Sequence, residues 1–270
     1  MFVNARMYSV TPAARAAWQE ILTWVATRAG SPAPGVAKFV DDDPPQLLSD
    51  LWQREDLDAV MMCGLPFTRR APQPTMLAAP VPSPARYQGQ AVYMSDIVVR
   101  ADAPYEVLAD TFGCVAGYTL KDSQSGYYAF RHLLATKYGN VPGSYRRIVG
   151  ELGNTRGMIN ALIAGQIDVG PIDAYAYDLI RAAEPDFAAQ IRVIETTEPT
   201  PMPPIVATST LPHDAVERLR AAFLAVESER SLASALAAVK VARFVVPAPA
   251  RYRMLGERAE WVDRVAVPWD

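Results

Sequence analysis

The residues with the most chemical promise are Ser123, Gln124, Ser125 and Gly126, a polar turn inside the segment GYTLKDSQSGYYAFRHLLATKYGN from Gly117 to Asn140. Behind them Tyr127, Phe130, Leu134 and Tyr138 recur at helical spacing, so the hydroxyls stand at a predicted helix start. The first N–H groups of a helix have no internal partner and lie at the positive end of its dipole, which suits an anion. Ser123 and Ser125 could add hydroxyl donors, and Gly126 would let a ligand come close to the backbone. The same residues also fit a plain helix cap, a frequent use of serine.

A second opening of this kind occurs at Gly153-Asn154-Thr155-Arg156, with Asn154 or Thr155 as cap. Arg156 is either a two-pronged partner for phosphate or carboxylate or a solvated surface charge. Asp173 ends the apolar run Ile167 to Ile172, and at the carboxyl end of a buried strand it could accept from a ligand hydroxyl, amine or protonated oxyanion. It could equally cap the segment Ala174 to Ile180. Asp168 starts the same strand at the opposite edge. Tyr8, Phe67 and Tyr93 sit at strand ends or in a crossing segment, where a ring lines a pocket or fills the core.

Other chemistries find little footing. The two histidines, His132 and His213, have neither a nucleophile nor a metal-ligand partner close in sequence, and no GxSxG, P-loop or GxGxxG is present. Cys63 and Cys114 lie outside any CxxC spacing and read as buried thiols. No cofactor and no metal are expected.

The elements that must position these residues follow a repeating order. A strand within residues 2 to 9 precedes a helix capped by Thr11 and Pro12; a strand from Val36 to Val40 precedes a helix begun by Asp43 and Pro44; Asp58 to Cys63 is a third strand. Strand, helix, strand, helix, strand implies a parallel sheet. The Pro-rich passage from Pro72 to Pro84 reads as an extended surface cover, and Gln90 to Arg100 as a strand crossing to a second lobe. There the cycle restarts: strand at Gly113 to Thr119, turn and helix, strand at Tyr145 to Glu151, helix from Asn154, strand to Ile172. Ile205 to Thr208 returns, and two helices and a helical tail from Ala250 to Arg264 complete the chain. The predicted division is 1–92 plus 200–270 for lobe one and 93–199 for lobe two.

Lys and Arg number 26 against 29 Asp and Glu in 270 residues, a net charge of −3, which argues against nucleic acid or an acidic membrane as the main partner. No stretch approaches the roughly 20 apolar residues of a membrane span. The start MFVNARMYSVTPAARAAW lacks the pattern of a secretory signal, so the expectation is a cytoplasmic protein as the sequence stands, or a periplasmic one if a signal precedes it.

These pieces together resemble the phosphate, phosphite and phosphonate-binding group of ABC-transporter substrate-binding proteins. The resemblance rests on Met7-Tyr8, Cys63-Gly64-Leu65-Pro66, Tyr93-Met94-Ser95-Asp96-Ile97-Val98-Val99, Ser123-Gln124-Ser125-Gly126-Tyr127, Asn154-Thr155, Gly165-Gln166-Ile167-Asp168-Val169, Ile172-Asp173 and the prolines from Pro199 to Pro204. It implies an α/β, two-lobed type II periplasmic-binding fold, with two crossover strands and a ligand cleft between the lobes. It also implies a non-enzymatic binding protein for phosphate, a phosphonate or an organic phosphate, with an ABC transporter as possible partner. Ser123, Gln124 and Ser125 inherit the oxyanion contacts, Asp173 matches the family's cleft aspartate and Tyr8 a cleft aromatic. Where aminophosphonate binders carry His near the second helix opening, this chain has Asn154-Thr155-Arg156, which implies a more anionic ligand. The alternatives are an enzyme of thiamine-pyrimidine type on the same fold, or a cytoplasmic sensor or interaction protein that has kept the lobes and lost the ligand.

Overall fold

A computed structural model describes residues 1–30, 37–40, 47–139 and 143–265. From the N-terminus, β1 (Phe2–Asn4) passes through a turn at Arg6–Tyr8 into α1 (Pro12–Arg28). Thr11 caps this helix by accepting from Ala14 N at 3.1 Å, and Pro12 fits a first turn that needs no N–H. Trp18, Ile21, Leu22 and Val25 form its buried stripe. Next come β2 (Lys38–Phe39), α2 (Leu48–Gln53), β3 (Ala59–Met61), α3 (Gly64–Arg69), β4 (Thr75–Pro82) and β5 (Val92–Tyr93). Val36 and the predicted helix start at Asp43 and Pro44 lie outside the described residues.

The chain continues with β6 (Ser95–Arg100), β7 (Val115–Gly117), and a wide π-helical turn at Gln124–Tyr128 that runs directly into α4 (Ala129–Tyr138). Then follow β8 (Arg147–Val149), α5 (Thr155–Ile163), β9 (Val169–Asp173), α6 (Ala174–Ala183), α7 (Pro185–Ala188), β10 (Ile191–Thr196) and β11 (Thr200–Pro201). After these come β12 (Ile205–Ala207), α8 (His213–Ala225), α9 (Ala233–Ala238), β13 (Val241–Val245) and α10 (Arg253–Val265).

These elements form two compact units, Met1–Val92 with Pro201–Tyr252, and Tyr93–Thr200 with Arg253–Asp270. The sequence-based division kept the tail with the first. Instead α10 packs on α4 in the second, where Asp263 pairs with a buried arginine that no hydropathy pattern announces.

In the first unit the sheet order is β13-β4-β12-β3-β1-β2. β1 is parallel to β2 and β3, as strand-helix-strand order requires, whereas β12 runs antiparallel to β3 and β4, and β13 antiparallel to β4. The Pro-rich passage is therefore not a surface cover: β4 is a buried inner strand. Its apolar run Met76-Leu77-Ala78-Ala79 outweighs its prolines. Pro80 and Pro82 fall past Ala78, the last residue paired with β12, where the strand keeps one neighbour instead of two. Trp18, Phe223 and Phe244 pack ring to ring in the core beneath, at 6.3 and 5.3 Å.

In the second unit the order is β10-β6-β9-β7-β8. β7 is parallel to both β8 and β9, and β6 runs antiparallel to β9 and β10. The carboxyl ends of three adjacent parallel strands thus share one edge, and each is followed by a helix start: Ser123 after β7, Asn154 after β8, Asp173 after β9. That edge is where open α/β sheets hold ligands.

Candidate functional site

The turn after β7 is built from its own polar groups. Ser123 Oγ accepts from Gly126 N at 2.9 Å, and the Ser123 carbonyl accepts from Tyr128 N at 3.1 Å, a five-residue span that makes the first turn π-helical. Ser123 is therefore the cap that one reading of the sequence required. Gly126 is a glycine for a reason other than ligand approach. A Cβ there would lie 1.8 Å from Thr119 Oγ1, so Thr119 occupies the space that the sequence reading kept for a ligand. Thr119 N also donates to the Gly126 carbonyl at 3.1 Å, and its own carbonyl accepts from Gly153 N at 3.1 Å. Thr119 therefore ties the β7 turn to the loop that leads into α5.

Asp173 has the capping role that one of its two readings gave it, and its other oxygen faces Ser125. Oδ1 caps α6 by accepting from Tyr175 N at 3.0 Å and Ala176 N at 2.9 Å, while Oδ2 lies 3.4 Å from Ser125 Oγ. Both side chains are more than nine-tenths buried. Asp168, at the far end of the same strand segment, accepts from Val115 N at 2.9 Å and so joins β9 to β7 at the opposite edge.

Asn154 caps α5, its Oδ1 accepting from Gly157 N at 3.0 Å, and Thr155 is buried beside it. Arg156 departs from expectation. Nη1 and Nη2 donate to the two oxygens of Glu184 at 2.9 and 2.6 Å, and the guanidinium lies 4.8 Å over Phe187, so its fork is already taken. The hydrogen bonds from Arg156 hold the Glu184 carboxyl below the usual carboxylate range.

The Gln124 side chain also takes another course. It lines a cavity of about 150 Å3 with Tyr128, His132, Thr197, Thr200 and Arg258, and its Oε1 is buried without a hydrogen-bond partner among the described groups. The Gln124 backbone opens the π-helical turn that follows β7. Burial, followed by the Arg258 charge, pushes the His132 imidazole below its ordinary value.

Tyr8 belongs to the first unit, where its ring is buried. Phe67 is fully buried edge-to-face against Tyr252 at 5.3 Å, and Tyr93 is buried too, so these rings serve the core. Cys63 is buried as expected, but Cys114 is half-exposed, with the Tyr105 hydroxyl 3.2 Å from its Sγ. That contact, with burial second, pushes the Tyr105 hydroxyl up to about 12. Among the described residues no group of His, Cys, Asp and Glu could hold a metal ion.

Sequence reasoning missed three participants. Thr119 was visible only as a strand end. Arg131, which stacks on Tyr127 at 4.9 Å, and Asp263, which binds it, give no local sign of each other because 132 positions separate them.

The family model described as the phosphonate periplasmic substrate-binding protein of ABC transporters matches residues 9–252. Among solved structures, a binding protein component of an ABC phosphonate transporter (PA3383) from Pseudomonas aeruginosa superposes with a TM-score of 0.79 at 16% identity, covering 97% of this chain and 87% of its own. PhnD1 from Prochlorococcus marinus, in complex with methylphosphonate, gives 0.76 at 14% identity over 98% of both chains. XAC2383 from Xanthomonas citri, bound to ATP, gives 0.69 at 17%, covering 98% of this chain and 97% of its own. Likeness at such identity speaks for the fold, which is the type II periplasmic-binding fold. No curated protein matches by sequence. Among the described residues no helix is long and apolar enough to cross a membrane. With nine-tenths of its length matched, the chain belongs to the phosphonate-binding family of periplasmic ABC-transporter substrate-binding proteins, a family of binding proteins and not of enzymes.

Proposed function

We propose that this protein binds a phosphorus oxyanion that carries at least one P–OH, on the second unit's β7, β8 and β9 edge. The observation that supports this reading is the contact of Ser125 with Asp173 beside a helix opening. An anionic oxygen would take the N–H groups of Gln124 and Ser125 and the Ser125 hydroxyl, with Ser123 and Gly126 shaping the turn. The Ser125 hydroxyl, 3.4 Å from Asp173 Oδ2, would turn to the ligand oxygen, and Asp173 Oδ2 would accept from the ligand's own hydroxyl. Thr155, with Asn154 fixing its helix start, would add a donor from α5. Tyr8 and Arg156 are left out of this contact set, the one buried in the first unit and the other bound to Glu184.

The carboxylate sets selectivity. A monoprotonated phosphonate or phosphate offers Asp173 a donor, whereas sulfate at neutral pH offers only acceptors and would be repelled by the carboxylate. Delivery to an ABC transporter in the periplasm is the role we infer from the family. The experiment is thermal unfolding with phosphate, phosphite, methylphosphonate, aminoalkylphosphonates and sulfate. A ligand at a hundred times its Kd stabilises the native state by about 2.7 kcal/mol, a shift of several degrees. A shift with phosphorus oxyanions and none with sulfate supports the reading; an equal shift with sulfate removes Asp173 from it, and no shift with any removes the site.

A further inference from the structure

The family match stops at residue 252, and α10 begins at Arg253. Yet α10 reaches the helix that the site depends on. Asp263 Oδ1 accepts from Arg131 Nη1 at 2.8 Å, and Oδ2 accepts from the Tyr128 hydroxyl at 3.0 Å. Arg131 is only 4% exposed, and its guanidinium lies 4.9 Å from the Tyr127 ring and 5.8 Å from that of Tyr128. One carboxylate therefore grips a cation and a phenol that bracket the last two residues of the π-helical turn.

We propose that Asp263 is a positioning residue for the oxyanion site. A π-helical turn has one more residue than the α-helical ladder that follows it, and such bulges persist where tertiary contacts hold them. Here the contacts sit at the turn's far end: Tyr128 is held by its hydroxyl, and Tyr127 by the stacked guanidinium. With the end fixed, Ser125 is presented to Asp173 and the Gln124 and Ser125 N–H groups stay aimed at one point. Released, the turn can relax to α-helical spacing, which rotates Ser125 away from Asp173. Asp263 also balances the charge of Arg131, so the helix offers the anion directed donors at its start instead of a diffuse positive field.

This inference rests on the oxyanion reading, and the test separates the two. Methylphosphonate is titrated by calorimetry into the whole protein and into Asp263→Asn, Asp263→Glu, Tyr128→Phe and Ser125→Ala, each well below its own unfolding midpoint. Amide hydrogen exchange is followed at residues 126–128 without ligand. We expect Asp263→Asn to weaken binding about tenfold, the size of a lost charge-assisted contact, Tyr128→Phe to weaken it about threefold, and Asp263→Glu to recover part of the loss. Exchange at Gly126, Tyr127 and Tyr128 should quicken in Asp263→Asn. If Asp263→Asn lowers the unfolding midpoint but binds as well as the parent, Asp263 is structural only and the proposal is overturned while the site stands. If the parent binds no methylphosphonate, phosphite or phosphate, the site reading fails and this proposal with it. Unchanged exchange in the turn overturns the proposal whatever the ligand, and Tyr128→Phe supplies the affinity comparison should Asp263→Asn fail to fold.

Discussion

Ser125, in the π-helical turn that follows β7, and Asp173, the last residue of β9, lie 48 positions apart in the chain with Oγ 3.4 Å from Oδ2. At that length the bond is weak and readily exchanged for one to a ligand. Ser125→Ala should weaken methylphosphonate binding by about 1 to 3 kcal/mol while lowering stability little. Calorimetric titration decides it, and an unchanged Kd would remove Ser125 from the site.

Asp173 carries two separable duties, one on each oxygen. Asp173→Ala loses the α6 cap and should cost about 1 kcal/mol of stability. Asp173→Asn retains a capping oxygen, so stability should hold while preference for protonated oxyanions over sulfate narrows. Urea melts and competition titrations on the two variants read these effects apart; an unchanged preference over sulfate in Asp173→Asn would mean the carboxylate serves the helix alone.

Gly126 tests packing against chemistry. Gly126→Ala drives a methyl into Thr119, with Oγ1 at 1.8 Å and the Cβ and Cγ2 atoms both at 2.9 Å. We expect a loss of about 1 to 3 kcal/mol, partly recovered by Thr119→Ala, which removes the nearest atom. Additive losses in the double variant would show that the glycine answers to something other than Thr119.

Arg156 should matter less than its chemistry suggests. The pair with Glu184 is about a third exposed on both sides, so Arg156→Gln should cost under about 1 kcal/mol and leave methylphosphonate affinity unchanged. Because Glu184 is held below its ordinary value, the pair's contribution is present at neutral pH and lost as pH falls through the carboxylate range. A large affinity loss in Arg156→Gln would return this residue to the contact set.

His132 gives a pH dependence of opposite origin. Burial, beside Trp261, and then the Arg258 charge lower its affinity for a proton below that of the unfolded chain, with Glu198 opposing them. Just below the ordinary imidazole value of about 6.5 the unfolded state then binds more protons, so stability rises with pH through that window and falls on acidification. Urea midpoints between about pH 7.5 and 5.5 should drop more in the parent than in His132→Gln. Parallel curves would exclude the imidazole as the cause.

What was legible in the sequence was what depends on neighbours along the chain. Thr11 and Pro12, the helix starts at Ser123 and Asn154, and the alternation of strand and helix all declare themselves within four residues, and the structure has each of them. Family membership was readable for the same reason, through short stretches such as Ser123-Gln124-Ser125-Gly126. What misled was local information overruled at a distance. Proline content placed β4 outside, where pairing with β12 and β13 places it within. A free guanidinium was read at Arg156, and Glu184 takes it. The tail was assigned by continuity, and the buried charge of Arg131 draws it elsewhere.

The division of the chain sets an order on folding. β4 in the first unit needs β12 and β13, from beyond residue 200, and α4 in the second needs α10, from beyond residue 252. A chain emerging from a ribosome can therefore complete neither unit until its last fifth has appeared, and for most of its synthesis it exposes the edge of β4 and the back of α4.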